Sequence, residues 1–439
     1  MNAATSSKSF EVSVETAAGL ERRMTVRVPA ADIQREVEVR LAKVGRTAKL
    51  KGFRPGKIPH KVVRQYYGGQ VRDEVLSDVI RSSYSHAIAE HKLNPAGGPR
   101  IEPLTDDAAA EHFTYRAVFE VYPEIQLQPL SDISIERPVV QINDGDVQIM
   151  IDKLREQRGE WRSADRKAAT GDRVVVDFAG KIDGESFPGG EGKEIAIVIG
   201  SGQVLADFDN ALQGMGAGEA ATATVEFPKD YPAETLAGKK AVFDITAHRV
   251  EERILPAVDE AFAATFGVTE GGVAALETEV RTNMERELAE RIKSETKTRS
   301  FDALIRANNV AVPRSLVEQE ITSLQADSMR QMGVQDPKQA PARERFTQLA
   351  ERRVTVGLLI QELMKQHQIK LEQARVDRRI QELAAPYEKP EEAAQFYRSN
   401  RGMMAQVEAA VLEDQVADFL LANAKTKENK LGFREFMGA

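Results

Sequence analysis

A basic stretch between Arg40 and Arg72 contains the side chains best suited to binding another molecule, and it includes no Asp or Glu. The chain as a whole is acidic, with a formal net charge of -8 at pH 7. Ammonium and guanidinium groups bind phosphates and carboxylates, so a basic stretch without counter-charges predicts a local surface for a polyanion. Its basic residues are Arg40, Lys43, Arg46, Lys49, Lys51, Arg54, Lys57, Lys61, Arg64 and Arg72.

The alternative interpretation of such a charge run is a solvated tip of two helices with no partner. The sequence GFRPGKIP at residues 52–59 favours binding instead. Its two glycines and two prolines prevent regular structure and predict a loop between two helices. In that loop Phe53 supplies an apolar anchor, while Arg54 and Lys57 reach phosphates or carboxylates. The prolines lower the entropy that is lost on docking.

Residue types that carry nucleophilic or metal chemistry are sparse. The absence of cysteine excludes disulfides, thiolate nucleophiles and cysteine-based metal sites. The six histidines are scattered without HExxH spacing and no P-loop is present, so we expect no metal, nucleotide or other cofactor. The sequence shows neither a secretory signal nor a run of roughly 20 apolar residues that could span a bilayer. We therefore predict a cytoplasmic protein without a membrane partner.

Strand-like and helix-like patterns alternate in the first part of the chain. Apolar and polar residues alternate over Phe10–Val28 around a break at Gly19, which predicts a β-hairpin. Apolar residues spaced by three and four then predict a helix capped by Asp32 and a second helix around Val75. FTYRAVFEV at residues 113–121 predicts a further strand. Together these elements predict an α+β domain.

The rest of the chain divides into a connector, a β-rich block and a helical region. We predict a linker helix over 144–161, strands over 173–250 with a turn at Asp183-Gly184, and separate helices after Pro256. A length of 439 residues predicts about three domains. The expected fold is α+β and multidomain, with an α+β domain at 1–121, a connector at 122–170, a β-rich domain at 171–250 and an all-helical domain at 251–439.

The loop GFRPGKIP is similar to the ribosome-docking signature of the trigger factor family: Gly-Phe-Arg, any residue, Gly-Lys, any residue, Pro. The resemblance includes NPAGGPRIEP at 94–103 and NMERELAERIK at 283–293, and it covers essentially the whole chain. It implies a chaperone for nascent and unfolded polypeptides that docks near the exit tunnel of the large ribosomal subunit, on protein and rRNA. It also permits a homodimer away from the ribosome and implies a link to cell division. The docking residues implied are Gly52, Phe53, Arg54, Pro55, Gly56, Lys57, Ile58 and Pro59.

The segments VVVDFAGKIDGESF at 174–187, GSGQVLADFDNALQGMGAGE at 200–219 and AVFDITAHRV at 241–250 resemble FKBP-type prolyl isomerases in order and spacing. From periodicity alone, the apolar residues of these segments would be interpreted as ordinary core residues. Only the resemblance identifies eight of them as walls of a proline-binding pocket. Two positions depart from the family, because Phe208 replaces a common Trp and Pro188 replaces a common acidic residue. The implied pocket residues are Phe178, Phe187, Ile195, Val204, Leu205, Phe208, Tyr231 and Phe243.

An apolar pocket suits this reaction, because the barrier to rotating an X-Pro bond, about 18–20 kcal/mol, comes from amide resonance and requires no nucleophile. The twisted imide has less charge separation than the planar one, so a dry aromatic pocket stabilises it relative to the ground state. Tyr231 is placed to donate a hydrogen bond to a carbonyl. We predict peptidyl-prolyl cis-trans isomerase activity that is secondary to the chaperone role.

Two other functions stay open at this point. A free isomerase with large flanking domains would not depend on the basic loop, and an RNA-binding protein would bind naked RNA as strongly as ribosomes. The helical region does not distinguish between these functions. Its pairs of adjacent apolar residues are interpreted mainly as core, and some exposed patches are expected to bind clients. These pairs are Leu358 with Leu359, Leu363 with Met364, Met403 with Met404 and Leu420 with Leu421.

Overall fold

The computed structural model divides the chain into two compact units. One unit runs up to Arg137 and includes Glu295–Glu428, and the other comprises Pro138–Ser294 with the segment from Asn429 onward. Each unit is therefore built from segments that are distant in sequence. The structure describes residues 10–51, 53, 57–105, 111–229, 231, 233 and 235–438.

An antiparallel sheet with the strand order β1-β2-β4-β3 forms the first part of the chain. The predicted hairpin is confirmed, since Glu11 pairs with Arg27 and Val14 with Met24. Tyr115 is fully buried beneath the sheet, where its hydroxyl lies 2.8 Å from the Ser83 hydroxyl. The strands are β1 (Glu11–Thr16), β2 (Glu21–Pro29), β3 (Arg100–Thr105) and β4 (His112–Glu120).

Two helices, α1 (Ala30–Thr47) and α2 (His60–Glu90), pack on this sheet through stripes of buried residues such as Leu41 and Val75. Both predicted helices are confirmed. The predicted cap is wrong, because the helix already begins after Pro29 and Asp32 lies in the first turn, where it pairs with Arg35. A carboxylate in that turn still interacts favourably with the helix dipole.

The linker helix, α3 (Asp144–Gln157), is shorter than predicted. Its start is defined by reciprocal hydrogen bonds of 3.1 Å between Asn143 and Asp146. Its end differs because residues 160–163 form strand β6, in which Trp161 lies between two guanidinium groups, each 4.6 Å from its ring. Pairing of this strand with a distant part of the chain overrides the local helical pattern.

The β-rich block is a five-stranded antiparallel sheet with the order β6-β10-β7-β8, and β9 pairs with β10. The predicted turn is confirmed, since Asp183 and Gly184 have φ values of 52° and 89°, as a tight hairpin turn of this hand requires. A short helix, α4 (Ala206–Leu212), packs on the same core as the sheet. The strands are β6 (Glu160–Ser163), β7 (Arg173–Ile182), β8 (Glu185–Val198), β9 (Ala220–Glu226) and β10 (Lys240–Ile254).

Helices dominate the remainder, as predicted, with one exception. Strand β11 (Lys425–Gly432) pairs with β5 (Ser134–Gln141), so the region is not all-helical. The core interpretation is confirmed for three of the four apolar pairs, since Leu359, Leu363 and Leu420 are fully buried, whereas Met403 and Met404 are half-buried. The helices are α5 (Glu260–Ala264), α6 (Gly272–Ala307), α7 (Arg314–Gln331), α8 (Thr347–His367), α9 (Gln373–Ala384), α10 (Pro390–Ser399), α11 (Arg401–Asn423) and α12 (Phe433–Met437).

A buried carboxylate, Asp172, stabilises the start of β7. Burial disfavours its charge, but two hydrogen bonds from Arg166 and one from the Ala169 N–H outweigh this and lower the pKa of Asp172. A lowered pKa stabilises the fold above the unfolded value of about 4, and that stabilisation disappears as the pH falls through the folded-state pKa.

We expect Asp172→Asn to lower the free energy of unfolding by about 2 kcal/mol at neutral pH, because charge-assisted hydrogen bonds are lost. The difference should shrink as the pH falls below the unfolded value of about 4 and through the lowered folded-state pKa of Asp172, because the wild-type carboxylate then becomes protonated. Urea titrations that follow Trp161, the one tryptophan of the chain, would report this sheet directly. Glu185→Gln, at an exposed site, serves as the control. If the difference in the free energy of unfolding between wild type and Asp172→Asn were unchanged at low pH, the electrostatic explanation would be contradicted.

Candidate functional site

A cavity of about 650 Å³ opens between the β-rich sheet and α4. All eight residues that the resemblance marked lie in its walls, although they come from distant points of the sequence. Strand β7 contributes Phe178, α4 contributes Phe208 and β10 contributes Phe243. The remaining members are Phe187, Ile195, Val204, Leu205 and Tyr231.

Phe243 is the centre of an aromatic cluster at the base of the cavity. Its ring centroid lies 5.3 Å from that of Phe208, 6.0 Å from Phe178 and 6.1 Å from Phe187. The rings meet at 81°, 63° and 87°, which are edge-to-face arrangements. Such pairs contribute about 0.5–1.5 kcal/mol beyond the burial of their area. The cluster therefore forms a rigid apolar floor.

The opposite wall contains an aromatic residue that the sequence reasoning missed. Phe227 lies 4.9 Å from Tyr231 and 6.2 Å from Phe187, measured between ring centroids. Its signal was the alternation of Ala223, Val225 and Phe227 along and just beyond β9, all of which are buried. Further lining residues outside the predicted set are Pro188, Gln203, Val225 and Leu236.

Glycines lie directly beneath the rings. A Cβ atom at Gly192 would lie 2.6 Å from Cε1 of Phe178, and one at Gly190 would lie 2.9 Å from Cε1 of Phe187. A Cβ atom at Gly180 would overlap the Phe243 ring. Close approach of a ring to the backbone requires a residue without a side chain, so these glycines define the depth of the cavity.

Backbone hydrogen bonds to carboxylates position α4. Asp209 Oδ2 accepts from the Gly200 N–H at 2.7 Å, and Asp207 Oδ2 accepts from the Glu226 N–H at 3.2 Å. These bonds connect the helix to the loop before it and to the end of β9. Phe208, between the two carboxylates in sequence, is thereby directed into the cavity.

The described residues that line the cavity offer no chemistry for covalent catalysis. Among the described residues that line it, only Gln203 and Tyr231 have polar side chains, and none is acidic or basic. Throughout the described part of the chain, no group of three His, Asp or Glu side chains could hold a metal ion. The arrangement suits an apolar ring and a carbonyl, and it can act on an amide only through its environment.

The predicted docking loop is described in part. Phe53, Lys57 and Pro59 are exposed, and Ile58 packs against the core beneath α1 and α2. The described residues lie outside regular structure, as predicted, and α2 begins directly after Pro59. Gly52, Arg54, Pro55 and Gly56 lie outside the described residues.

The fold and cavity define an FKBP-type peptidyl-prolyl cis-trans isomerase domain within a larger chain, and residues 164–248 match that family. Residues 10–154 match the family described as bacterial trigger factor protein, and residues 272–422 match its C-terminal part. The chain belongs to the bacterial trigger factor family. It is a molecular chaperone that carries an isomerase domain.

Curated relatives match this chain along nearly its whole length. The trigger factor of Thioalkalivibrio sulfidiphilus (strain HL-EbGR7) is 44% identical over 428 residues, which cover 98% of each chain. The trigger factor of Marinobacter nauticus (strain ATCC 700491 / DSM 11845 / VT8) is 42% identical over 430 residues, covering 98% of this chain and 99% of the relative. A solved structure of the trigger factor chaperone, 17% identical, has a TM-score of 0.47 and covers 94% of this chain and 99% of its own. No described helix is long and apolar enough to cross a membrane.

Phe187 offers the cleanest test of the cavity, because it is only half-buried at the rim and its truncation should leave the fold intact. We expect Phe187→Ala to lower kcat/KM for a proline-containing peptide by about tenfold, through lost contact with the proline ring. Val242→Ala, on the exposed face of β10, should leave activity unchanged. Equal activity of both variants would contradict the assignment.

Proposed function

We propose that this chaperone docks on the large ribosomal subunit near the peptide exit tunnel, through the loop at residues 52–59 and the basic residues around it. The supporting observation is a set of exposed basic side chains that form no ion pair with any other described residue. They are Lys43, Arg46, Lys49, Lys51, Lys57 and Lys61.

These charges differ from most other basic residues of the same helices, although Arg81 in α2 also forms no ion pair with a described residue. Arg40 pairs with Asp78 at 2.6 Å and Arg64 pairs with Glu38 at 3.5 Å. Counter-charges are therefore concentrated along the body of the helical pair and are lacking toward its tip. A local positive surface on an acidic chain attracts rRNA phosphates and acidic protein segments, and its effect falls with salt.

The geometry of the described residues at the tip supports docking. The helices approach closely there, since a Cβ atom at Gly45 would lie 3.3 Å from Cγ2 of Val63. Phe53, with 38% of its surface exposed, donates a backbone hydrogen bond to Leu50 O at 3.1 Å. An ordered exposed aromatic residue within a basic surface is typical of a binding hot spot, because little entropy is lost on contact.

The isomerase cavity binds the proline ring of a client over the aromatic floor in this proposal. Phe178, Phe187, Ile195, Val204, Leu205, Phe208, Tyr231 and Phe243 form the contact surface, and the Tyr231 hydroxyl donates to a client carbonyl. Lowered polarity around the imide favours the twisted state, so the apolar lining itself supports the assignment.

The helical region binds unfolded segments through exposed apolar residues in this proposal. Tyr387 and Phe396, next to and within α10, have 56% and 57% of their surfaces exposed, and Met332 and Leu349 are similarly open. Separate apolar contacts of this kind bind many sequences weakly, as a chaperone requires.

The proposed organisation has four parts. They are a ribosome-binding domain at 1–121, a connector at 122–170, an isomerase domain at 171–250 and a client-binding domain at 251–439. Docking raises the concentration of the chaperone around emerging chains without a nucleotide or other cofactor. We place the protein in the cytoplasm and propose a homodimer when it is away from the ribosome.

Ribosome docking can be tested by co-sedimentation of the triple variant Phe53→Ala, Arg54→Ala and Lys57→Ala with 70S ribosomes. We expect binding to fall by at least about tenfold, because an aromatic anchor and two cations are removed. A matched control replaces Tyr387, Arg379 and Lys389, which are also one exposed aromatic and two exposed basic residues. Retained ribosome binding by the triple variant would refute docking, and equally strong binding of wild type to naked RNA would favour an RNA-binding protein.

Client binding can be tested with the double variant Tyr387→Ala and Phe396→Ala. We expect affinity for a denatured, proline-free client to fall about fivefold, because two exposed aromatic contacts are lost. The control is Val39→Ala with Tyr66→Ala, which removes exposed apolar residues from α1 and α2. Equal affinities for the two double variants, measured by fluorescence anisotropy, would exclude this surface.

A further inference from the structure

The strand β8 departs from regular pairing next to the cavity. Val176 pairs with Ile195, and Phe178 pairs with Gly192. Between these two pairs the chain advances by two residues in β7 but by three in β8. One extra residue is therefore accommodated opposite Asp177, which defines a β-bulge. Bulges redirect side chains, and both pairs that flank this one include a residue of the cavity wall.

Asp177 contacts bulges on both sides of its strand. Its Oδ1 atom accepts a hydrogen bond from the Glu194 N–H at 2.7 Å, and His248 Nε2 lies 3.0 Å from the same oxygen. Glu194 has a φ of 51°, which a residue with a side chain rarely adopts. His248 is itself the extra residue of a second bulge, between Ala247 and Arg249 on β10.

The carboxylate of Asp177 is charged at neutral pH. The Glu194 N–H and then His248 lower the pKa of Asp177, and the nearby Lys193 acts in the same direction against a small effect of burial. An ionised acceptor forms shorter and stronger hydrogen bonds than a neutral one. The strained Glu194 backbone is thus held by one charge-assisted bond in addition to its chain connectivity.

The β8 bulge sets the spacing of two wall residues. Phe178 and Ile195 meet over Gly192, where a Cβ atom would lie 2.6 Å from one side chain and 2.9 Å from the other. If β8 paired regularly beyond Gly192, Glu194 would lie opposite Val176, and Ile195 would turn to the opposite face of the sheet. Ile195 is 43% exposed and has little packing of its own to hold it in place.

We propose that Asp177 is a positioning residue for isomerisation: by accepting the Glu194 N–H and pairing with His248, it fixes the bulge that forms the wall of Phe178 and Ile195. The side chain of Asp177 lies on the opposite face of β7 from the cavity lining and does not contact the substrate. This inference rests on the proposed role of the cavity residues in binding proline.

The test compares Asp177→Ala and Asp177→Asn in the full chain. We expect Asp177→Ala to lower kcat/KM for a proline peptide about tenfold, mainly through KM, because a wall of the binding surface shifts. Asp177→Asn should stay within about threefold of wild type, because its amide oxygen accepts the same N–H. The matched control is Asp244→Ala, an exposed carboxylate on the same face that contacts Thr222 and neither bulge.

Hydrogen–deuterium exchange of the peptide containing Glu194 provides a readout that is independent of activity. It should be faster in Asp177→Ala than in wild type, Asp177→Asn or Asp244→Ala. Wild-type kcat/KM in Asp177→Ala, or an equal loss in Asp177→Asn, would overturn the proposal. So would unchanged exchange in Asp177→Ala, whatever its activity. Full activity in Phe187→Ala would instead contradict the proline-binding assignment, so the two proposals fail separately.

Discussion

A pleated strand presents only every second side chain to a given face, and this constraint governs the isomerase domain. Strand β8 places Gly192 on the same face as Ile195 and Phe187, although odd numbers of positions separate Gly192 from both and regular alternation would turn it to the other face. Two irregularities in the pairing of β8 with β7 make this arrangement possible. Glycines beneath the aromatic rings allow the rings to lie close to the backbone. The edge-to-face cluster around Phe243 lies on the same face and forms the floor of the cavity.

The cavity and the basic tip of α1 and α2 differ in the kinds of interaction that they offer a partner. The described lining of the cavity is mainly apolar and aromatic and contains no carboxylate, imidazole, ammonium or guanidinium group, which suits the exclusion of water from an imide. The tip of α1 and α2 instead presents exposed cations that lack ion-pair partners among the described residues, which suits a polyanionic partner. In the isomerase domain, by contrast, Arg166, Asp172 and Glu252 form a hydrogen-bonded group of opposite charges.

Local patterns predicted the elements well wherever one face of an element is buried. The hairpin of β1 and β2, the stripes of α1 and α2 and the turn at Asp183-Gly184 all follow from spacing and turn chemistry. The failures occurred where distant pairing competes with local preference. Residues 160–163 were predicted to be helical but form a strand that pairs with β10. Strand β11 forms within an otherwise helical region because it pairs with the edge of β5.

The sequence by itself determined the class of elements, the uncompensated basic loop and, through resemblance, the eight residues of the cavity wall. The types and the order of these residues are local properties, which can be read directly from the sequence. Only the tertiary structure showed that these residues surround one space, that Phe227 belongs with them and that Asp177 braces the wall from the opposite face of the sheet. Strand register and bulges decide such contacts, and register depends on which distant strands pair, so no short-range pattern encodes it.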